Sequence, residues 1–377
     1  MSANYSILDI YYKPCNTLLQ QPMNIFHHSK TTIVIAIFIW LLSPPLIAKD
    51  APIINGYTLV AGHNSLSIWS LPEPTHPVEN EPTTERIELG RKLFFDTRLS
   101  GDGEMSCATC HIPALGWADG LAIAKGADGK ILKRATPSII NSAYNILHMW
   151  DGSFADLETQ ALSPLSNEDE MNMPTERLLL MLNKDSQYTK DFRNAYPDEG
   201  ISVKSISMAI ASFERTILST DSPFDRWVRG EQTALTKSQV NGFEVFLDEN
   251  KGNCVSCHSP PNFSDDGFHN IGIKADDINP DAGRFDLVPV LVMKGAFKTP
   301  TLRDIDTTRP YFHDGTAQTL EDVIDHYLQV DDKLTTNSPS LRRAQLENSE
   351  RANLVDFLRT LTDTQHLKVR DADPTVK

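Results

Sequence analysis

The chain has 377 residues, which is enough for two domains of ordinary size. Its formal net charge of −15 at pH 7 argues against nucleic acid as a partner, because proteins that bind phosphate backbones present basic surfaces. Of its five cysteines, four lie in two short sequences of one pattern, whereas the fifth, Cys15, lies near the N-terminus.

The first 48 residues have the pattern of an export signal. Residues 33–42 are ten apolar residues followed by Ser-Pro-Pro, and this run is too short to span a bilayer comfortably. We predict a signal peptide over residues 1–48 that is cleaved near Ala48, which places the mature protein in the periplasm. Two alternatives stay open: an uncleaved N-terminal membrane anchor, and a translation start at Met23, which would remove Cys15.

The next segment lacks a helical pattern. Residues 49–82 are rich in proline, glycine and serine and have no strong periodicity, so we predict an extended leader on the surface. A helix is expected to begin near Thr83, because threonine followed by an acidic residue is typical of a capped start. Sustained alternation of apolar and polar residues is missing from the sequence, which predicts a mostly α-helical protein.

The pattern Cys-x-x-Cys-His occurs twice, at residues 107–111 and 254–258. Two thiols one helical turn apart can form thioethers to one porphyrin edge, and the adjacent imidazole can bind the iron. A thioredoxin-like pair needs no histidine, structural zinc usually spaces its histidines differently, and disulfides do not usually join cysteines this close. We predict two covalently bound c-type haems, held by Cys107, Cys110, His111, Cys254, Cys257 and His258.

Several blocks of the first half recur in the second half in the same order. Thr136-Pro and Thr299-Pro are each followed by Asp-Gly at the same interval of 15 residues. Residues 201–218 and 341–361 have helical periodicity and would each close one domain. We therefore predict two cytochrome-c-like haem domains that arose by duplication. The predicted N-terminal domain is 83–225 and the C-terminal domain is 226–377.

The two halves differ where the second iron ligand would lie. Residues 319–330 predict a helix whose apolar face carries Tyr327, with His326 pointing away from it. If this helix covers the second haem, Tyr327 could bind its iron; the alternative is an ordinary core tyrosine. The same register in the first half gives Pro164, which cannot bind iron. The first haem is therefore expected to keep an open position for a small oxidant, and the second to be closed.

Cleavage of a peroxide bond requires a group that moves a proton between the two oxygens. Candidates lie just beyond Pro164 in the run Asn167-Glu-Asp-Glu, where the family resemblance given below favours Glu170, although most acidic runs of this kind are solvated loops. Gln160, one helical turn before Pro164, could hydrogen-bond a bound oxygen. Trp150 could conduct electrons between the haems, or it could belong to the core.

Residues 83–365 resemble the family of bacterial di-haem cytochrome c peroxidases and MauG. Besides the two haem sequences, the specific parts are Trp150-Asp-Gly, Lys298-Thr-Pro-Thr-Leu and Pro310-Tyr-Phe-His-Asp-Gly, followed by Leu320-Glu. The resemblance implies a peroxidatic haem in the N-terminal domain, a low-spin haem in the C-terminal domain, and a tryptophan between them.

Three features resemble MauG more than the peroxidases. The distal histidine of the peroxidases, sixteen residues after the first haem histidine, corresponds to Ala127, and the methionine ligand of their second haem corresponds to Tyr327. Gln160, Pro164 and Glu170 match the MauG pocket in type and spacing. The resemblance then implies a first haem that needs no reductive activation and a tyrosinate that helps the two haems share their oxidising equivalents.

Two features depart from the family. MauG has a surface tryptophan two residues before its second haem sequence, whereas this chain has Gly252, so any route to a large protein partner must differ. The family also holds Ca²⁺ between its domains. Thr308 and Pro310 match the carbonyl ligands of that ion, but the asparagine ligand corresponds to Ala135.

Three functions are consistent with these residues. The leading hypothesis is a periplasmic di-haem peroxidase that reduces hydrogen peroxide to water with electrons from a small cytochrome c or cupredoxin. The second is a MauG-like enzyme that uses peroxide to oxidise tryptophan or tyrosine residues of a partner protein. The third is a non-catalytic electron carrier, in which both irons would be six-coordinate. If Tyr327 does not bind the second iron, Met293 or His326 is the alternative ligand.

Overall fold

The structure is a computed structural model that describes residues 52–273, 280–333 and 337–364. The predicted signal peptide, including Cys15, Met23 and Ala48, lies outside these residues. In the described part of the chain most regular structure is helical, and the mostly α-helical prediction is confirmed. None of these helices has both the length and the apolar character needed to cross a membrane.

The helices follow one another with short connections. In chain order they are α1 (Thr84–Phe94), α2 (Cys107–Cys110), α3 (Leu157–Ser166), α4 (Thr175–Lys184), α5 (Ser186–Ala195), α6 (Val203–Glu214), α7 (Pro223–Val228), α8 (Lys237–Leu247), α9 (Leu320–Gln329) and α10 (Asn348–Arg359). Two short antiparallel two-stranded sheets accompany the helices: β1 (Ile53–Ile54) pairs with β2 (Tyr57–Thr58), and β3 (Phe268–His269) pairs with β4 (Phe297–Lys298).

Two closely packed helix pairs organise the core: α1 packs against α6, and α8 packs against α10. Each contact depends on a glycine. A Cβ atom on Gly90 would collide with the carbonyl oxygen of Ala209, and one on Gly242 would collide with the carbonyl oxygen of Asn353. A glycine at each crossing therefore lets two helix backbones approach to within contact distance.

A separate apolar cluster surrounds each helix pair. The first cluster includes Leu93, Phe94, Trp117, Phe192 and Ile210. The second cluster includes Trp69, Phe224, Phe243, Phe263 and Phe357. The aromatic rings of each cluster meet largely edge to face, an arrangement that adds to the stabilisation from apolar burial alone.

The segment before α1 is not the extended surface leader that the sequence predicted. After the β1–β2 hairpin it forms a 3-10 helix, Asn64–Trp69, in which Leu66 and Trp69 are fully buried in the second cluster. The indole of Trp69 packs edge-on against Phe224 and Phe243. One large aromatic side chain buries enough apolar area to hold a short segment on the core without any helical periodicity.

The helices expected near Thr83, over 201–218 and over 319–330 are present as α1, α6 and α9. The prediction that a helix begins at residue 341 is wrong, because α10 begins at Asn348. The N–H of Ala344 donates to the carbonyl of Tyr327, and that of Gln345 donates to the carbonyl of Lys251. These bonds to other segments prevent the preceding residues from forming helical hydrogen bonds.

The predicted domain boundary between residues 225 and 226 falls inside α7, so this prediction is also wrong in detail. Phe224 and Trp227 of α7 are buried in the second cluster. Asp225 pairs with the fully buried Arg303, whose Nη1 lies 2.9 Å from both carboxylate oxygens. Breaking such a pair would leave an uncompensated buried charge. Because this pair and the second cluster both hold α7, the helix belongs with the second half of the chain.

We expect Gly90→Ala and Gly242→Ala each to lower the free energy of unfolding of the haem-loaded protein by about 1–3 kcal/mol, because the added methyl group forces helix backbones apart. The measurement is urea-induced unfolding followed by far-UV circular dichroism. The control is Glu88→Ala on α1, whose side chain is 57% exposed and should change stability little. Unchanged unfolding midpoints for both glycine variants would contradict the close-packing account.

Candidate haem site

One cavity of about 640 Å³ is lined by both Cys-x-x-Cys-His sequences. Its wall contains every residue that the sequence assigned to haem attachment, to the distal pocket or to electron transfer. These residues are Cys107, Cys110, His111, Trp150, Gln160, Pro164, Glu170, Cys254, Cys257, His258 and Tyr327. The fold thus brings side chains from distant parts of the sequence to a single cavity.

The first haem sequence begins on α2 and ends at its C-cap, His111. The Nδ1 atom of His111 lies 3.0 Å from the carbonyl oxygen of Trp117. Because a carbonyl only accepts hydrogen bonds, Nδ1 carries the proton, and Nε2 keeps the lone pair with which imidazole binds a metal. This bond also fixes the orientation of the ring.

The second haem sequence repeats this arrangement. The Nδ1 atom of His258 lies 2.9 Å from the carbonyl oxygen of Phe263. Trp117 and Phe263 both have positive φ angles, of 58° and 54°. A left-handed backbone is uncommon for an aromatic residue and marks a constrained position, and here both such residues supply the carbonyl that orients a histidine.

The four cysteines of the two haem sequences are not joined in disulfides. Burial raises the pKa of Cys110 to about 11 and that of Cys254 to about 12. Within the described residues, only Cys257, Asp265 and His269 form a group of three potential metal ligands, and Cys257 belongs to the second haem sequence.

On the side of the cavity near the first haem sequence, the position that corresponds to Tyr327 is Pro164, whose side chain cannot bind iron. Pro164 lies within α3, and Gln160 lies one turn earlier on the same helix. The acidic run divides in two: Glu168 and Asp169 are exposed, whereas Glu170 turns into the cavity wall. The Glu170 carboxylate raises the pKa of Cys110, which places it near the first haem sequence.

Burial raises the pKa of Glu170 above that of a free glutamate. A hydrogen bond from the Asn167 amide, at 3.0 Å, lowers this pKa, and the negative charge of Asp169 raises it further. The carboxyl group can therefore change its protonation state nearer to neutral pH than a solvated one. Ala127, at the position of the peroxidases' distal histidine, is buried outside the cavity wall, and its N–H donates to the Glu170 carbonyl.

The second side of the cavity carries Tyr327 on α9. Burial raises the pKa of Tyr327, and the charges of Cys254 and Cys257 raise it further, which places the phenol beside the second haem sequence. The alternative ligands lie elsewhere. His326 and Met293 are outside the cavity wall, and Nε2 of His326 lies 2.8 Å from the carbonyl oxygen of Ile271.

Trp150 lies in the wall of the cavity that both haem sequences share. Its indole Nε1 donates to the carbonyl oxygen of Ala135 at 2.9 Å. Its ring meets His313 edge to face, with 6.4 Å between the ring centroids, and His313 in turn stacks on Phe297 at 3.6 Å. These contacts hold the indole in one orientation.

Sequence reasoning missed several charged residues of the cavity wall, among them Glu214, Lys298 and Arg303. Burial raises the pKa of Glu214 to about 8, and among the described residues its Oε2 has no hydrogen-bond partner. Lys298 is also buried, and its Nζ lies 3.6 Å from the nearest carboxylate oxygen of Asp266. The sequence does contain a signal for two of them. Glu214 lies in the first of the repeated Phe-x-Arg-Thr blocks, and Lys298 begins the Lys-Thr-Pro-Thr-Leu block.

The chain is similar to several known proteins. Residues 84–233 match the family model described as di-haem cytochrome c peroxidase. The chain is 42% identical to methylamine utilization protein MauG of Methylophilus methylotrophus, over 78% of this chain and 87% of that protein. It is 33% identical to cytochrome c551 peroxidase of Nitrosomonas europaea, over 80% of this chain and 87% of that protein.

A solved structure has a similar fold. It is a MauG-like protein associated with microbial copper homeostasis, with a TM-score of 0.74 and 32% identity, covering 81% of this chain and 96% of that one. The extent and identity of these matches confirm the family expected from the sequence. This chain belongs to the di-haem cytochrome c peroxidase and MauG family, whose members are oxidoreductases that act on peroxide.

Proposed function

We propose that the protein is a periplasmic di-haem peroxidase that reduces hydrogen peroxide to water with electrons from a small cytochrome c or cupredoxin. The observation that carries the proposal is the asymmetry of the cavity. Pro164, Gln160 and Glu170 line it on the side of the first haem sequence, whereas Tyr327 lies beside the second. In this arrangement the first iron would keep a free coordination position for peroxide, whereas the second iron would have both axial positions filled and would receive electrons.

The two haem sequences belong, in this proposal, to two domains related by duplication. Beyond the paired histidines, Pro164 and Tyr327 are each the eighth residue after the N-cap of their helix. Glu158 pairs with Arg215 at 2.7 Å in the first half, and Glu321 pairs with Arg359 at 3.2 Å in the second. These matching positions support a common ancestor, with the domain boundary just before α7.

The haems, held by the two cysteine pairs with His111 and His258 as proximal ligands, would supply the redox chemistry. Glu170 would take the proton from the peroxide oxygen nearer the iron and return it to the leaving oxygen. Gln160 would donate a hydrogen bond that orients the peroxide. Reduction to two molecules of water takes up two further protons and two electrons. Those electrons would pass by way of Trp150, which lies in the wall of the cavity that both haem sequences share.

A second candidate is a MauG-like enzyme in which peroxide supplies oxidising equivalents that modify tryptophan or tyrosine in a partner protein. The observation that favours it is Tyr327 in the cavity, together with 42% identity to MauG. Gly252 replaces the surface tryptophan of MauG, so electrons from a protein substrate would need another route. Both candidates share the first haem site and differ in the electron source.

The main test mixes the fully oxidised, haem-loaded protein with hydrogen peroxide, with and without a reduced small cytochrome c. We expect rapid oxidation of two cytochromes per peroxide without prior reduction of the enzyme. A long-lived oxidised enzyme with little cytochrome turnover would instead support modification of a partner protein. If the protein did not react with peroxide at all, both proposals would be contradicted and the non-catalytic electron carrier would be the remaining hypothesis.

We expect Glu170→Gln to slow peroxide turnover by about 10²–10⁴-fold while leaving both haem spectra intact, because the amide cannot transfer the proton. The matched control is Glu168→Gln, the same change on an exposed side chain two residues earlier, which should keep full activity. Since Glu170 acts as the base in its charged form, wild-type activity should fall as pH drops through its raised pKa. Equal rates of peroxide turnover for the two variants would show that Glu170 does not transfer the proton and would favour its interpretation as part of a solvated acidic loop.

We expect Tyr327→Phe to change the absorption and electron paramagnetic resonance spectra of the second haem, because the candidate phenolate ligand is lost. His326→Ala and Met293→Leu alter the alternative ligands, both outside the cavity wall, and should leave these spectra unchanged. An unchanged low-spin signal in the Tyr327 variant, with loss of the signal in either control, would overturn this assignment.

A further inference from the structure

A cluster of buried charges lies beside Trp150. Nη1 of Arg134 donates to Oδ2 of Asp151 at 2.6 Å, while Nε and Nη2 donate to the two carboxylate oxygens of Asp281 at 2.8 and 3.0 Å. The side chains of Arg134, Asp151 and Asp281 are only 15%, 17% and 13% exposed. The interaction of one guanidinium with two carboxylates, through two hydrogen bonds to one and one to the other, is strong and directional.

Both carboxylates are charged in this cluster. Burial raises the pKa of Asp151, but hydrogen bonds from Ser153 and Arg134 outweigh it and hold that pKa below its usual range. For Asp281, burial is likewise outweighed by hydrogen bonds from Arg134, the Gly283 N–H and Lys133. Lys133 lies 3.0 Å from Asp281 but is 59% exposed, so solvent screens its contribution.

The cluster ties together the segments that hold the indole. Arg134 precedes Ala135, whose carbonyl accepts the Trp150 Nε1–H, and Asp151 follows Trp150. The guanidinium of Arg134 therefore bridges the segment that carries the indole and the segment that accepts its hydrogen bond. Both segments line the cavity shared by the two haem sequences.

A third segment is tied to the same place through Asp281. Its carboxylate accepts the Gly283 N–H at 2.9 Å, which orders the start of the loop. The next residue, Arg284, donates from Nη1 to the carbonyl oxygens of Asp151 and Gly152, at 2.8 and 2.7 Å. The backbone on the C-terminal side of Trp150 is thus held from two directions by guanidinium groups.

The residues present do not supply the calcium site that the family resemblance implies. Calcium takes six to eight oxygen ligands, commonly including carboxylates. Ala135 offers no side-chain oxygen, and its carbonyl already accepts the indole N–H. Thr308 and Pro310 could offer only backbone carbonyl oxygens, so the side-chain oxygen of the family site is missing from this chain.

We propose that Arg134 is a positioning residue for Trp150, and that its guanidinium, in place of a calcium ion, fixes the indole between the two haem sequences. The proposal rests on the proposed function only in taking Trp150 as the group between the haems. Arg134 supplies a permanent positive charge that joins three chain segments, and a buried divalent cation could do the same only with more oxygen ligands than are present.

The test uses the haem-loaded protein without peroxide, so its outcome does not depend on the peroxidase reaction. The variants are Arg134→Gln, which loses the charge, and Lys133→Gln, which removes the exposed neighbour on the same carboxylate. Spectroelectrochemistry gives the separation between the two haem reduction midpoints. Near-UV circular dichroism, compared with Trp150→Phe, gives the band due to the Trp150 indole. Each measurement is made with added calcium and with a calcium chelator.

We expect chelation to leave the wild-type midpoint separation and indole band unchanged. Arg134→Gln should lose the Trp150 band and shift the midpoint separation, and calcium should restore neither, whereas Lys133→Gln should match wild type. If Arg134→Gln does not fold, Asp281→Asn removes the bidentate partner and should weaken the same band. Loss of the band from the wild type on chelation, or a wild-type band in both Arg134→Gln and Asp281→Asn, would overturn the proposal.

Discussion

A backbone carbonyl that accepts the Nδ1–H of each haem-sequence histidine is the contact on which the site depends. It leaves Nε2 as the nitrogen free to bind iron, and it fixes the plane of the ring. Each carbonyl belongs to an aromatic residue with a left-handed backbone, Trp117 or Phe263, and each of these side chains is buried in an apolar cluster. Core packing is thereby linked to the direction of a metal-binding lone pair.

The two apolar clusters have matching helix pairs but opposite roles at the cavity. In each half a glycine brings two helices together, and a short helix begins at a capped residue and presents its eighth residue to the cavity. The position that carries Tyr327 in α9 carries Pro164 in α3. Because proline has no donor atom, one position of the same scaffold decides whether a second ligand is available. In the proposed function, the difference between the two haem sites therefore depends on this one position of α3 and α9.

The sequence predicted what depends on local spacing. The thioether cysteines, their histidines, and the register that places Tyr327 and Pro164 all follow from intervals within one helical turn or one repeat. Glu170 could not be separated from its exposed neighbours by pattern, because only the turn after α3 decides which carboxylate enters the cavity wall.

Features that depend on distant partners were beyond local patterns. Trp69 joins a cluster in which every member outside its own segment lies more than 150 residues later, from Phe224 onward, and no periodicity predicts its burial. Arg134 and Asp281 are 147 residues apart, and no local pattern predicts their ion pair. Arg134 also binds Asp151, the residue after Trp150, and Trp150 is the indole proposed to connect the haems. Electron transfer through a side chain requires a fixed orientation, and a guanidinium held by carboxylates on two segments supplies that rigidity from the protein alone. The same three segments can then keep Trp150 in place whichever electron source the enzyme uses, because none of them belongs to α9 or to the cysteine pairs.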